Sequence, residues 1–112
     1  MSTNTNALLE DAYSGDLARI QQLLGAGGNV NTAEESTGLT ALHIAVGRNN
    51  LFLTRMLIED WKAAFVPDKI GRMPSLIAAE LDVDPELAEY IIDKEREAES
   101  NLRPIAALKL EP

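Results

Sequence analysis

The sequence predicts an all-α protein built from stacked helical repeats. An eight-residue segment that starts with glycine and ends with alanine begins at Gly38 and again at Gly71, 33 residues later. Three apolar trios with i, i+3, i+4 spacing recur at nearly the same interval, and they are Ile20, Leu23, Leu24; Leu53, Met56, Leu57; and Leu87, Tyr90, Ile91. The trios predict helices with one buried face, and a period of this size is typical of stacked repeats.

The clearest segment is residues 38–45, which read Gly-Leu-Thr-Ala-Leu-His-Ile-Ala. Gly38 allows the positive φ of a tight turn, and Thr40 is able to cap the helix that follows. The segment resembles the ankyrin repeat signature Thr-Pro-Leu-His-x-Ala, which is matched by Thr40, Leu42, His43 and Ala45, with Ala41 in place of proline. The resemblance implies a three-repeat ankyrin stack, an α-solenoid, in which Thr40 and His43 tie the turn to the neighbouring repeat.

The first repeat, about residues 7–37, follows a start, residues 1–6, that we expect to be frayed. Residues 7–13 predict a short helix that breaks at Gly15, and Asp16 predicts the cap of a second helix. This helix is expected to end at residues 25–28, where a glycine-rich run acts as a C-cap. Residues 23–31, Leu-Leu-Gly-Ala-Gly-Gly-Asn-Val-Asn, resemble the family's Leu-Leu-x-x-Gly-Ala-Asp-Val-Asn. Terminal repeats are expected to be atypical.

The second repeat, about residues 38–70, has an inner helix predicted at residues 41–48 and an outer helix at about 51–60. Asn49 and Asn50 are expected to form the turn between them, since asparagine tolerates a left-handed backbone better than most residues. The loop at residues 61–70 departs most from the family pattern, because it carries two aromatic residues, Trp61 and Phe65.

The third repeat, about residues 71–99, restarts at Gly71, but residues 73–76 read Met-Pro-Ser-Leu and keep only the proline of the signature. Asp84 followed by Pro85 predicts a strong helix start. The repeat domain is expected to span residues 7–99. The tail at residues 100–112 holds Leu102, Ile105, Leu108 and Leu110, and is either a final cap, which we favour, or a free apolar peptide.

Charge and composition narrow the class of partner. Ten basic and eighteen acidic residues give a net charge of −8, which disfavours nucleic acid and anionic membranes and favours a basic protein. The chain has no cysteine, which fits a reducing, cytoplasmic setting, and no apolar stretch long enough to span a membrane. We expect neither a secretory leader nor a cofactor.

Candidate catalytic groups are few. His43 is the single histidine, so a hydrolase activity would have to depend on this one residue. A structural role for His43 is favoured. The acids at residues 82–86 lack the spacing of a calcium loop and fit helix capping instead. Glu34 and Glu35 are expected to stay solvated. We therefore expect no enzyme activity, no metal site and no small-molecule substrate.

The resemblance implies that a protein partner contacts the inter-repeat loops and the open face of the inner helices. Carried over position by position, that surface contains Tyr13, Glu34, Glu35, Thr37, Ile44, Arg48, Phe65, Lys69, Arg72, Ile77 and Glu80. Trp61 and Phe65 either pack under their loop or anchor a partner. The favoured function is a monomeric protein-binding module, narrowed to an acidic inhibitor or immunity-type protein that covers a basic partner such as a nuclease-like toxin. The alternative is an assembly protein that self-associates through its tail and residues 61–70.

Overall fold

A computed structural model describes the backbone of residues 3–102 and the side chains of residues 7–100. Its helices are α1 (Thr3–Ser14), α2 (Leu17–Gly25), α3 (Ala41–Gly47), α4 (Leu51–Arg55), which continues as a π-helical turn (Met56–Asp60), α5 (Pro74–Glu80) and α6 (Pro85–Leu102). Within the described residues the only extended pairing is a single bridge between Ala33 and Thr40. The predicted all-α repeat stack is confirmed.

The helices form hairpins that lie side by side. The inner helix α3 contacts α1 on one side and α5 on the other, and each inner helix also contacts the outer helix that follows it. α3 is the most deeply buried element, since every residue from Ala41 to Val46 is buried. The middle repeat therefore joins the two outer ones into one core.

Local capping explains where the outer helices begin. The carboxylate of Asp16 accepts a hydrogen bond from the backbone N–H of Arg19 at 3.2 Å, and the amide oxygen of Asn50 accepts one from Leu53 at 3.1 Å. Each satisfies a donor that the first helical turn leaves unpaired. The predicted turn at Asn49 and Asn50 is left-handed at its first residue, since Asn49 has φ 58°.

The predicted apolar stripes form the core, with two exceptions. Leu23 and Tyr90 are only half-buried and pack at its edge, whereas the other members of the three trios are buried. The Tyr90 hydroxyl explains its position, because it donates a 2.6 Å hydrogen bond to Glu59 at the surface. Buried hydroxyl groups need such a partner, and here the surface supplies it.

The third inner helix is capped from another element. α5 begins with Pro74 at its first position, and its N-cap residue, Met73, makes no side-chain cap. The Glu95 carboxylate of α6 takes that role, accepting hydrogen bonds from the backbone N–H and the hydroxyl of Ser75 at 2.7 and 2.6 Å. A tertiary contact thus replaces the threonine that the third repeat lacks.

Two helix ends differ from the prediction. α1 begins at Thr3 instead of residue 7, and α6 runs to Leu102, into the segment assigned to the tail. Neither extension contains a glycine or proline, so the local sequence has no helix-breaking residue before Pro104. The rest of the predicted tail, residues 103–112, lies outside the described residues.

Candidate functional site

Two loops between the repeats fold as short hairpins. In the first, residues 34–38, the N–H of Glu34 donates to the Leu39 carbonyl at 2.8 Å and the N–H of Gly38 donates to the Glu34 carbonyl at 2.7 Å. The Glu34 side chain also accepts a hydrogen bond from the Thr37 hydroxyl at 2.6 Å. Glu34 and Thr37 thus shape the hairpin, while Glu35 at the tip is exposed.

The second hairpin, residues 68–72, is organised by a buried carboxylate. Asp68 accepts hydrogen bonds from the backbone N–H groups of Ile70 and Arg72 at 3.0 and 2.8 Å, and from the Arg72 guanidinium at 2.8 Å. Burial opposes ionisation of Asp68, but these hydrogen bonds outweigh it and hold the pKa of the carboxyl below its ordinary value. Lys69 and Ile70 are left exposed at the tip, Ile70 at 75%.

A backbone hydrogen bond joins the two hairpins. The N–H of Lys69 donates to the Thr37 carbonyl at 2.9 Å. Gly38 permits this approach, because a Cβ at that position would lie 2.7 Å from the Lys69 nitrogen. We call the resulting surface, residues 34–38 and 68–72, the hairpin edge.

His43 fixes the hairpin edge to the helices. Its Nδ1 accepts a hydrogen bond from the Thr40 N–H at 3.1 Å, and its Nε2 lies 3.0 Å from the Arg72 carbonyl oxygen. A carbonyl only accepts, so Nε2 carries the proton and the ring is neutral. With both nitrogens engaged and only 1% of the residue exposed, His43 acts as a tie between the second and third repeats.

The neutral state of His43 has a consequence for stability. Burial lowers the pKa of His43 from its ordinary 6.5, although the hydrogen bond to Arg72 and the charges of Asp68 and Glu95 oppose the shift. Below pH 6.5 the unfolded chain therefore binds a proton that the folded chain resists, so stability decreases as pH falls. We predict that the free energy of unfolding decreases as the pH falls from about 7 to about 5.5. This window lies above the ordinary pKa range of carboxyl groups.

Denaturant titrations at several pH values measure this slope, and His43→Gln is the matched control. The variant should be less stable at pH 7 by about 1 to 3 kcal/mol, since a glutamine amide does not reproduce the geometry of both hydrogen bonds that the His43 ring makes, to Thr40 and to Arg72. It should show no slope in the same window, because the chain has one histidine. An equal slope in both proteins would contradict the assignment.

Two predicted contact residues are not on the surface. Ile44 and Ile77 are only 4% and 5% exposed, so their placement on an open face was wrong. The reason is the packing of α3 against α5, which places both isoleucines in the hydrophobic core. Gly47 of α3 lies in this contact, near Ile77 and Leu81.

The remaining inner-face residues lie around the hairpin edge or at the helix ends. Tyr13 and Arg48 are exposed near the ends of α1 and α3. Glu80 is also exposed, and its carboxylate pairs with the Arg72 guanidinium at 3.0 Å. The structure therefore brings Arg72 and Glu80 together, and the pair braces the second hairpin against α5.

The loop aromatics are half-buried. Trp61 and Phe65 both pack against the core, and the indole Nε1 of Trp61 is buried without a hydrogen-bond partner among the described residues. Packing therefore accounts for Trp61, whereas Phe65 also borders a groove beside α6. Sequence reasoning included Ile70 only in the loop of residues 61–70 that the self-association alternative uses, and not on the surface expected to bind a partner.

The described residues contain no cluster of three or more histidine, cysteine, aspartate or glutamate side chains arranged to hold a metal. None of the helices between Thr3 and Leu102 is long and apolar enough to cross a membrane.

Comparison with known proteins supports the repeat assignment. A family model for ankyrin repeats, in three copies, matches residues 8–103. The chain is 32% identical over 73 residues to the 2-5A-dependent ribonuclease of Mus musculus, and 32% identical over 76 residues to that of Homo sapiens. These matches cover 65% and 68% of this chain but only 10% of each ribonuclease. The resemblance inferred from residues 38–45 is confirmed.

Proposed function

Because this chain belongs to the ankyrin repeat family, whose domains generally mediate protein–protein interactions and are typically non-catalytic, we propose that it is a protein-binding module. The ribonuclease matches lie in the repeats, so they support binding and not a nuclease activity. We assign the contact surface to the hairpin edge together with the exposed ends of the inner helices.

The observation that carries this proposal is the link from Lys69 N–H to the Thr37 carbonyl. It fixes two hairpins side by side while Glu35, Lys69 and Ile70 remain exposed at their tips. A surface held rigid before binding loses less conformational entropy when a partner docks. Exposed apolar and charged side chains on such a rigid surface are better suited to binding another protein than to binding a small molecule.

A matched pair of exposed apolar residues tests the surface. Ile70 lies on the hairpin edge, and Phe52, 80% exposed, lies on the outer helix α4. In affinity capture from the native cell, Ile70→Asp should weaken retention of the partner about tenfold or more, as expected for a central apolar contact. The Phe52→Asp variant should retain the partner as well as the unmodified chain does. Equal retention by the two variants would place the contact elsewhere.

The net charge of −8 motivates a narrower form of the proposal, an acidic inhibitor or immunity-type protein with a basic partner. Long-range attraction accelerates encounter between opposite charges and is screened by salt. The association rate with the captured partner should therefore fall at least about tenfold between low and high ionic strength. A rate that is independent of salt would exclude steering by charge.

Self-association is the second candidate, favoured by the exposed Ile70 and by the apolar residues of the tail. An obligate assembly would elute as an oligomer over a wide range of concentrations, whereas a binding module elutes as a monomer. Sizing of the full chain at several concentrations separates the two, and we expect a monomer throughout.

A further inference from the structure

Exposed charges of opposite sign lie at the two tips of the hairpin edge. Glu35 is exposed at the tip of the first hairpin, and Lys69 is exposed at the tip of the second. Among residues 7–100, the ion pairs all involve other side chains, so neither tip charge is paired there. Both charged groups therefore face solvent and are able to meet a partner.

The other charged groups of the edge do not reverse this pattern. Glu34, which is half-buried and accepts a hydrogen bond from the Thr37 hydroxyl, adds a second carboxylate to the first hairpin. On the second hairpin, Arg72 pairs with the carboxylates of Asp68 and Glu80 at 2.8 and 3.0 Å. Even with Glu80 of α5 counted, the second hairpin carries no net charge, and the charged group at its tip is positive.

The stack sets the spacing between the two tips. Neighbouring helices in a stack lie about 8 to 10 Å apart. The hydrogen bond from the Lys69 N–H to the Thr37 carbonyl, 2.9 Å long, keeps the hairpins in line with this spacing. Glu35 lies two residues before Thr37, so the tip charges are held about 10 Å apart. Ile70, which is 75% exposed, directly follows Lys69, so the order across the edge is carboxylate, ammonium group, apolar side chain.

We propose that the hairpin edge binds a protein segment that carries a basic side chain about 10 Å from an acidic one, with an apolar side chain beside the acidic residue. The basic group meets Glu35, the acidic group meets Lys69, and the apolar group packs on Ile70. This inference rests on the function proposed above and adds the charge order of the partner to it. Complementary charges fix register and reject wrong partners, so a segment with the opposite order is disfavoured.

A displayed library of random peptides, selected on the immobilised full chain, is the probe. Binding of the selected peptides should weaken about tenfold or more in Ile70→Asp, which shows that they occupy the hairpin edge. The double swap Glu35→Lys with Lys69→Glu keeps the net charge at −8 and inverts the two tips. It should weaken binding at least about tenfold, because both contacts become repulsive. Exchanging the basic and acidic residues of the peptide should restore its affinity for the swapped chain.

Lys62→Glu with Glu89→Lys is the matched control, since both residues are exposed outside the hairpin edge and the net charge is again unchanged. This variant should bind the selected peptides as the unmodified chain does. Peptides that depend on Ile70 but bind the unmodified and swapped chains equally would overturn the charge order and leave the proposed surface in place. Peptides unaffected by Ile70→Asp would instead place the contact outside the hairpin edge, and both proposals would fail.

Discussion

Leu57→Ala is expected to lower the free energy of unfolding by about 2 to 5 kcal/mol, a large fraction of the 5 to 15 kcal/mol typical of a whole domain. Leu57 is fully buried in the π-helical turn that ends the second outer helix. Its carbonyl also accepts a hydrogen bond from Ala63 at 2.9 Å, so the backbone around it has little freedom to close the cavity. Denaturant unfolding of the full chain measures the change.

Phe52→Ala is the matched control on the same helical stretch. Phe52 is large and apolar but mostly exposed, so its removal should change stability by no more than about 0.5 kcal/mol. Similar decreases in the free energy of unfolding in the two variants would mean that the buried apolar stripe of the outer helix does not hold the repeats together.

The effect of Leu57→Ala should extend beyond its own repeat. α3 contacts both α1 and α5, and the π-helical turn contacts α3. No helix pair of this size buries its own apolar face, so the outer repeats depend on the middle one. We therefore expect one cooperative transition at lower denaturant, without a separate transition for an outer repeat.

The starts of α2, α4 and α6 were predictable from the sequence because their causes are local. Asp16 and Asn50 each bond a backbone N–H three residues further on, and Pro85 begins α6 as its position suggests. The repeat period then placed the helices in order. The π-helical turn at Met56–Asp60 and the capping of Ser75 by Glu95 depend on distant partners, which no short window of sequence contains.

The surface was less predictable than the fold. Ile44 and Ile77 were placed by analogy with exposed positions of a regular repeat, but exposure depends on how closely neighbouring helices approach. Here α3 and α5 pack closely enough to bury both isoleucines. The hairpin residues Glu35 and Lys69 are exposed as the sequence suggested, since a turn tip stays solvated whichever way the helices pack.

Gly38→Ala is the second large effect, and Gly71→Ala is its control. Both glycines have left-handed backbones, with φ of +77° and +87°. Alanine costs about 1 to 2 kcal/mol in that conformation. We expect Gly71→Ala to lower the free energy of unfolding by this amount only, because the added Cβ at Gly71 would meet nothing within 4 Å.

At Gly38 the same methyl group would lie 2.7 Å from the Lys69 nitrogen and 3.3 Å from the Asp68 carbonyl carbon. Backbone atoms cannot rotate away, so the hairpins must separate and the bond from Lys69 to Thr37 is lost, adding about 0.5 to 1.5 kcal/mol before any further rearrangement. Gly38→Ala should thus cost about 2 to 4 kcal/mol in denaturant unfolding. It should also weaken partner retention more than Gly71→Ala does, because the rigid hairpin edge is disrupted. Equal losses of stability in the two variants would show that the hairpins do not depend on this contact.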